Sequence, residues 1–381
     1  LIKSAYIHIP FCQHICHYCD FNKVFLKNQP VDQYLDMLRK EMENAVSRHD
    51  HKNLQTIFIG GGTPTALSSQ QLQKLLTSIA EVLQPDTGRI EYSIEANPGD
   101  LPLEKFQLLK SFGINRLSFG VQSFNNSLLS AIGRAHQAED VFRSLELAGK
   151  AGFENISLDL MYGLPGQSAA DFERDLDIAL KLDVAHFSAY SLIIEPKTVF
   201  YNLSRKGKLP LPPQEDEAVM YETAMDRMES MGYHQYEISN YSLPGFESRH
   251  NITYWKNEQY FGFGAGAHSY VDGYRNANFG PLKKYMNAVG EQGLPYVSSH
   301  EVPKSEAMEE ELFLGLRMSD GVSESHFSSK FGIELNRVFQ DQIEEGIHKG
   351  LLVKSGDMLA LTRRGRLLGN EVFSSFLGAA E

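Results

Sequence analysis

The chain has 381 residues, of which 42% are apolar and 22% charged, a composition typical of a globular protein with ample core and room for two or three domains. Its formal charge of −12 leaves no general surplus of cations for a phosphate-binding face, so nucleic acid is not the expected partner. No apolar run approaches the roughly 18 residues of a membrane span, and the opening LIKSAYIHIP lacks a signal peptide's apolar stretch and cleavage site. All three cysteines lie between Cys12 and Cys19. With no distant thiol to pair with, they point to a reducing compartment, so the expected location is cytoplasmic.

The first strand-like run, SAYIHI, leads straight into HIPFCQHICHYCDF, where Cys12, Cys16 and Cys19 follow a C-x3-C-x2-C spacing. Structural zinc is one reading, with His8, His14 or His17 as fourth ligand. Such sites usually join two ligand pairs far apart in sequence, whereas here every donor would come from a dozen residues. Covalent haem attachment wants C-x-x-C-H, and CQHICH has one residue too many. An iron–sulfur cluster is the third reading. Four-iron clusters normally take four thiolates, so three would leave one iron open to an exchangeable small molecule, as the open position of a catalytic zinc does.

Further along, apolar or β-branched runs alternate with segments of helical period. The runs QTIFIG, RIEYSIEA, NRLSFGV, NISLDLMYG and AHFSAYSLI read as strands, and VDQYLDMLRKEMENAV, SSQQLQKLLTSIAEVL, LEKFQLLKSFG and DFERDLDIALKL read as helices. That alternation predicts a parallel sheet with crossover helices. Six repeats favour a partly closed barrel over a flat doubly wound sheet. Strand ends carry GGGTPT (Gly60–Thr65), Glu95, Gln122 and Asp159, with Arg134 in a loop beyond. In a barrel these residues converge on one rim, where parallel α/β folds hold their sites. The glycine run lacks the Lys-Ser/Thr ending of a P-loop.

After the proline-rich KLPLPPQEDEA and one more helix, AVMYETAMDRMESMG, the texture becomes aromatic and glycine-rich. Here HNITYW holds His250, Tyr254 and Trp255, the only tryptophan, and FGFGAGAHSY holds His268. A neutral imidazole is a good axial ligand for haem iron, and Tyr254 and Trp255 offer flat apolar faces. A core histidine under an aromatic cluster is the plainer alternative. The small residues around His268 permit either a flat ligand or a close backbone. The last 80 or so residues read as three helices, a hairpin (LLVKSGDMLALTRRG) and a final helix, an arrangement like a winged helix. Glu309, Glu310 and Glu311 on its first helix argue against nucleic acid. The expected division is a barrel over 1–235, the aromatic segment over 236–300 and the C-terminal unit over 301–381.

The cysteine spacing, with Tyr18 before the last cysteine, resembles the radical S-adenosylmethionine superfamily. The order of motifs over nearly the whole chain resembles its coproporphyrinogen III dehydrogenase-like (HemN-like) family. That resemblance implies an α/β fold, a partial (β/α)6 TIM-type barrel with a C-terminal winged-helix-like α+β domain. It also implies a 4Fe–4S cluster on Cys12, Cys16 and Cys19, with S-adenosylmethionine on the unique iron. Residues matching Tyr6, Gly61, Gly62, Thr63 and Glu95 contact that cofactor in the family. Those matching Tyr18, Gln122, Arg134, Asp159 and Ile193 lie around the dehydrogenase's second cofactor position. The family has two branches, the oxygen-independent dehydrogenase and the HemW-type haem chaperones. Phe21 stands where the dehydrogenase has a fourth cysteine, and H-N-x-x-Y-W resembles the chaperone branch's haem-associated motif. The implied partners are haem and acceptor haem proteins, respiratory membrane proteins among them. A peripheral visit to the membrane and a homodimer are both compatible with this reading.

Overall fold

The structure, a computed structural model, describes residues 1–380. Six parallel strands, β1 Ser4–Ile9, β2 Thr56–Gly61, β3 Glu91–Ala96, β4 Arg116–Gln122, β5 Asn155–Tyr162 and β6 His186–Ser191, are hydrogen-bonded to one another in chain order. Helices α1 Val31–Val46, α2 Ser69–Leu83, α3 Leu103–Ser111, α4 Ala138–Lys150 and α5 Ala169–Ala179 make the crossovers, and α6 Gln214–Ser230 follows β6. Each strand adds on the same side of its predecessor, the winding of a barrel rather than a doubly wound sheet. Ile7, Ile57, Ile59, Ile94, Leu117, Leu158 and Phe187 are fully buried in one core shared with the helices, as parallel strands covered by helices require. Helix α2 starts at a capping box, in which Ser68 Oγ accepts from Gln71 N and the Gln71 side chain accepts from Ser68 N.

The barrel stays open. Beyond β6 the sheet continues antiparallel through β7 His234–Glu237 and β8 Asn240–Ser242. On the other flank β9 Tyr260–Phe263 lies parallel to β1, followed by the antiparallel strands β10 His268–Val271, β11 Tyr274–Asn278 and β12 Tyr296–Glu301. The full order is β12-β11-β10-β9-β1-β2-β3-β4-β5-β6-β8-β7. Residues 236–300 thus extend the barrel's own sheet, and Tyr241, Phe261, Phe263 and Tyr285 share its core. Within this stretch, HNITYW forms the short helix α7 Arg249–Trp255, and α8 Leu282–Gln292 packs against α1.

The C-terminal unit has a separate core around Leu312, Phe327, Phe339, Leu359 and Phe376. It holds α9 Lys304–Gly315, α10 Glu324–Phe331 and α11 Leu335–His348 beside a sheet of β13 Val322–Ser323, β14 Leu352–Ser355 and β15 Met358–Leu361, ordered β13-β15-β14. The segment read as one final helix is two short ones, Arg363–Leu367 and Gly369–Ser375. Among the described residues no helix is long and apolar enough to cross a membrane.

One buried histidine gives the fold a defined pH response. His186, 1% exposed, sits between Ser157 Oγ at 2.8 Å and Tyr236 Oη at 2.9 Å, and burial holds its pKa well below the ordinary histidine value. Below about pH 6.5 the unfolded chain takes up a proton here that the folded chain refuses. Acid therefore destabilises wild type through this residue but not a His186→Gln variant. The stability gap between the two should be widest above pH 6.5 and shrink by up to about 1.4 kcal/mol per pH unit below it. Urea denaturation of both proteins at several pH values measures the gap; a constant gap would contradict the assignment of a neutral buried imidazole.

Candidate functional site

The cysteine loop leaves the carboxyl end of β1 and is fastened at both ends. Val24 N donates to Pro10 O and Leu26 N to Cys12 O, both at 2.8 Å, closing the loop on itself. Asn22 Nδ2 donates to the carbonyls of Ala265 at 2.8 Å and Gly280 at 2.9 Å, while His8 Nε2–H donates to Asn22 O at 2.7 Å. These contacts explain FGFGAGAHSY. A Cβ at Gly264 would lie 2.6 Å from His8 O, and one at Gly266 would lie 2.9 Å from the Asn22 side chain. At these two positions the small residues serve a close backbone, one of the two readings the sequence left open.

Cys12 is buried, Cys16 and Cys19 are half-buried, and none forms a disulfide. Their thiols line one cavity of about 450 Å³ together with Tyr18, Gly61, Gly62, Thr63, Glu95, Gln122, Arg134, Asp159 and Ile193. The residues that the family resemblance assigns to the cofactors, Tyr6 excepted, therefore face the same space. Burial pushes the Cys12 thiol up to about 11, opposed by the Thr63 hydroxyl 3.8 Å from its Sγ. A metal centre bound here displaces those thiol protons.

Opposite the cysteines, the glycine turn has its amides committed. Gly61 N donates to Glu95 Oε2 at 3.0 Å, Gly62 N to Ile9 O at 2.8 Å and Thr63 N to Phe11 O at 2.9 Å. Gly62 has no room for a side chain, since a Cβ there would lie 2.9 Å from Cys12 Sγ. Burial, with Asp159 adding, pushes Glu95 up to about 8 against the Gly61 amide. Burial likewise pushes Asp159 up to about 6, opposed by the hydroxyls of Ser188 and Ser118. Gln122 holds φ at +67°, beside an irregularity in the β4–β5 register between Gly120 and Gln122. Such local strain and bulging aim side chains at functional sites. Ile193, 66% exposed, stands at the mouth.

A second cavity of about 620 Å³ runs down the barrel interior and shares Asp20, Phe21, Glu95, Ser118, Asp159 and Tyr190 with the first. Its walls include Tyr6, His8, His186, His250, Tyr254 and His268. Tyr6 lies here rather than at the rim, its hydroxyl donating to His8 Nδ1 at 2.9 Å. The polar lining recurs at every second residue: Ser157 and Asp159 on β5, His186, Ser188 and Tyr190 on β6. Sequence reading passed over Ser118, Ser157, Ser188 and Tyr190. The signal was available, because alternate positions of a strand share a face.

The HNITYW residues do not share one cavity. His250, 1% exposed and stacked on Phe58, has both ring nitrogens engaged. Thr56 Oγ1 already donates to Ser4 Oγ, so His250 Nδ1–H donates to Thr56 Oγ1 at 2.7 Å, and Nε2 accepts from Tyr254 Oη–H at 2.8 Å. Burial pushes its pKa down to about 3, so the ring is neutral. Its one lone pair on nitrogen is therefore capped by Tyr254. Trp255 faces away, into a crevice of about 380 Å³ with Asn257, Arg275 and Glu310, and Arg317 lies 5.2 Å from its ring. His268 is exposed on the wall of the interior cavity.

Comparison with known proteins follows the two structural units. The family profile described as the radical SAM superfamily matches residues 6–179, and that of the HemN C-terminal domain matches residues 302–368. Heme chaperone HemW of Bacillus subtilis is 56% identical over 377 residues, covering 99% of this chain and all of the relative. Heme chaperone HemW of Escherichia coli is 34% identical over 378 residues, with 98% of each protein covered. Among solved structures, Escherichia coli HemN, a coproporphyrinogen III oxidase described as a radical SAM enzyme, superposes with a TM-score of 0.84 at 24% identity. That likeness covers 98% of this chain and 90% of the other, and it speaks for the fold.

Proposed function

This chain belongs to the HemW haem-chaperone family of the radical SAM superfamily, and on that premise we propose that it binds haem and hands it to haem-requiring acceptor proteins, respiratory membrane proteins among them. The barrel mouth holds a 4Fe–4S cluster through Cys12, Cys16 and Cys19, with S-adenosylmethionine on the fourth iron. The observation that carries this is the convergence of three thiols, the Gly61–Thr63 turn and Glu95 on one cavity at the carboxyl ends of parallel strands. The donor set fits the group. Three thiolates from one loop match three corners of the cluster, and Gly62 brings the glycine turn closer to Cys12 than any side chain there would allow.

When bound, such a cluster supplies one electron to the sulfonium of S-adenosylmethionine. The chain's own residues supply the frame. Asn22 and His8 hold the cysteine loop against the sheet, Tyr6 orients His8, and Glu95 fixes the Gly61 amide. Gln122, Arg134, Asp159 and Ile193 border the remaining volume of the mouth, where an exchangeable ligand sits.

For haem, the geometry separates the two histidines. Iron reaches His250 Nε2 only if Tyr254 withdraws its hydroxyl, whereas the His268 ring is exposed on the same cavity. The proposed axial ligand is therefore His268, with His250 and Tyr254 on the wall of the same cavity and Trp255 in the neighbouring crevice. Anaerobic reconstitution followed by haem titration tests this, with the Soret band as readout. Wild type should bind haem one to one without converting coproporphyrinogen III. His268→Ala should weaken binding at least tenfold and shift the band, and His250→Ala should keep the wild-type spectrum. A spectral change confined to His250→Ala would make His250 the ligand, and porphyrin turnover would instead favour the oxygen-independent dehydrogenase reading.

A further inference from the structure

Arg134 brings a positive charge to the mouth, where Asp100 and Asp159 stand on the same cavity without pairing with it directly. Among the described residues it enters no salt bridge; Nη2 donates to Asn97 Oδ1 at 2.8 Å and to the Gly120 carbonyl, and Nε is shut off from solvent without a partner. Asp100, on the same rim, accepts from Asn97 Nδ2 at 3.3 Å instead. The remaining nitrogen, Nη1, points at Cys16 Sγ at 3.5 Å. A guanidinium withdrawn from water calls for an anion, and the sulfur in hydrogen-bond reach, Cys16 Sγ, becomes one when it ligates a metal centre.

We propose that Arg134 is a positioning residue for the cluster that acts through Cys16, donating to its sulfur and favouring the reduced, more negative state of the centre. The inference rests on the cluster reading of Cys12, Cys16 and Cys19 given above. Local charge and hydrogen bonds to the sulfurs set the potentials of such centres, and bonds from a cation to an anionic sulfur are the strong ones. Asn97 and Gly120 then serve to aim the guanidinium fork, since together they fix its second nitrogen.

The test is an EPR-monitored redox titration of the reconstituted protein, with iron content measured alongside. Arg134→Gln should keep its iron and show a midpoint potential shifted to more negative values. Arg134→Lys, which keeps the charge without the fork, should fall between it and wild type. Asn97→Asp, which leaves Arg134 in place but offers it a competing carboxylate, should shift the midpoint in the same direction and decides the matter if Arg134→Gln loses its iron. An unchanged midpoint in the variants that hold a cluster would overturn the role of Arg134 alone. Failure of wild type to hold any cluster would overturn the underlying reading instead.

Discussion

Single replacement of Cys12, Cys16 or Cys19 by alanine should take the iron content of anaerobically reconstituted protein from about four per chain to below one. The chain has no other cysteine, so no spare thiolate can move in, and a cluster held at two corners is readily lost. The fold should survive, because Cys16 and Cys19 are half-buried and the barrel core lies in the strands beneath them. Circular dichroism and thermal unfolding check that point. His14→Ala and His17→Ala serve as controls, since these rings belong to the same loop and are the donors a zinc site would recruit. They should keep their iron. Iron retained in a cysteine variant, or lost equally in the histidine variants, would contradict a cluster on three thiolates.

The second large effect is expected at Gly62. A Cβ there meets Cys12 Sγ, Phe11 O and Pro10 C, each at 2.9 Å. Two of those three atoms are backbone, so no rotamer change relieves the contact, and the branched side chain of valine adds to it. Gly62→Val must therefore push the cysteine loop and the glycine turn apart. Both partners of the proposed site move, so S-adenosylmethionine affinity should fall more than tenfold, with iron content reduced as well. Equilibrium dialysis of the reconstituted protein measures the first and elemental analysis the second. Gly149→Ala is the matched control. Its Cβ meets nothing within 4 Å and it lies inside α4, so alanine should stabilise by up to about 1 kcal/mol and leave binding unchanged. Full iron and wild-type affinity in Gly62→Val would show that the turn does not border the ligand.

Much of this architecture is legible in the amino-acid sequence, for local reasons. SAYIHI is β1 residue for residue and VDQYLDMLRKEMENAV is α1, because each run has the period of its element and ends at a turn-forming residue. The rim residues were readable because barrel topology gathers strand ends, so Glu95, Gln122 and Asp159 needed only their strands placed. What stayed hidden depends on long-range pairing. Strands β9 to β12 are four to six residues long and gain their place only by pairing with β1 and with one another. The polar interior face was overlooked because single serines in apolar strands look like noise until several strands align. His250 shows the limit most clearly. Its motif gives the residue type, but Thr56 and Tyr254, which take up both ring nitrogens, approach it only in the folded chain.

The central claim is a cluster with three protein corners and one exchangeable position. Mössbauer spectroscopy of protein reconstituted anaerobically with isotopically enriched iron tests it directly, with and without S-adenosylmethionine. The account predicts a four-iron cluster in which one iron differs from the other three and changes its spectrum when S-adenosylmethionine is added. A protein without iron–sulfur signals that carries one zinc per chain would contradict it.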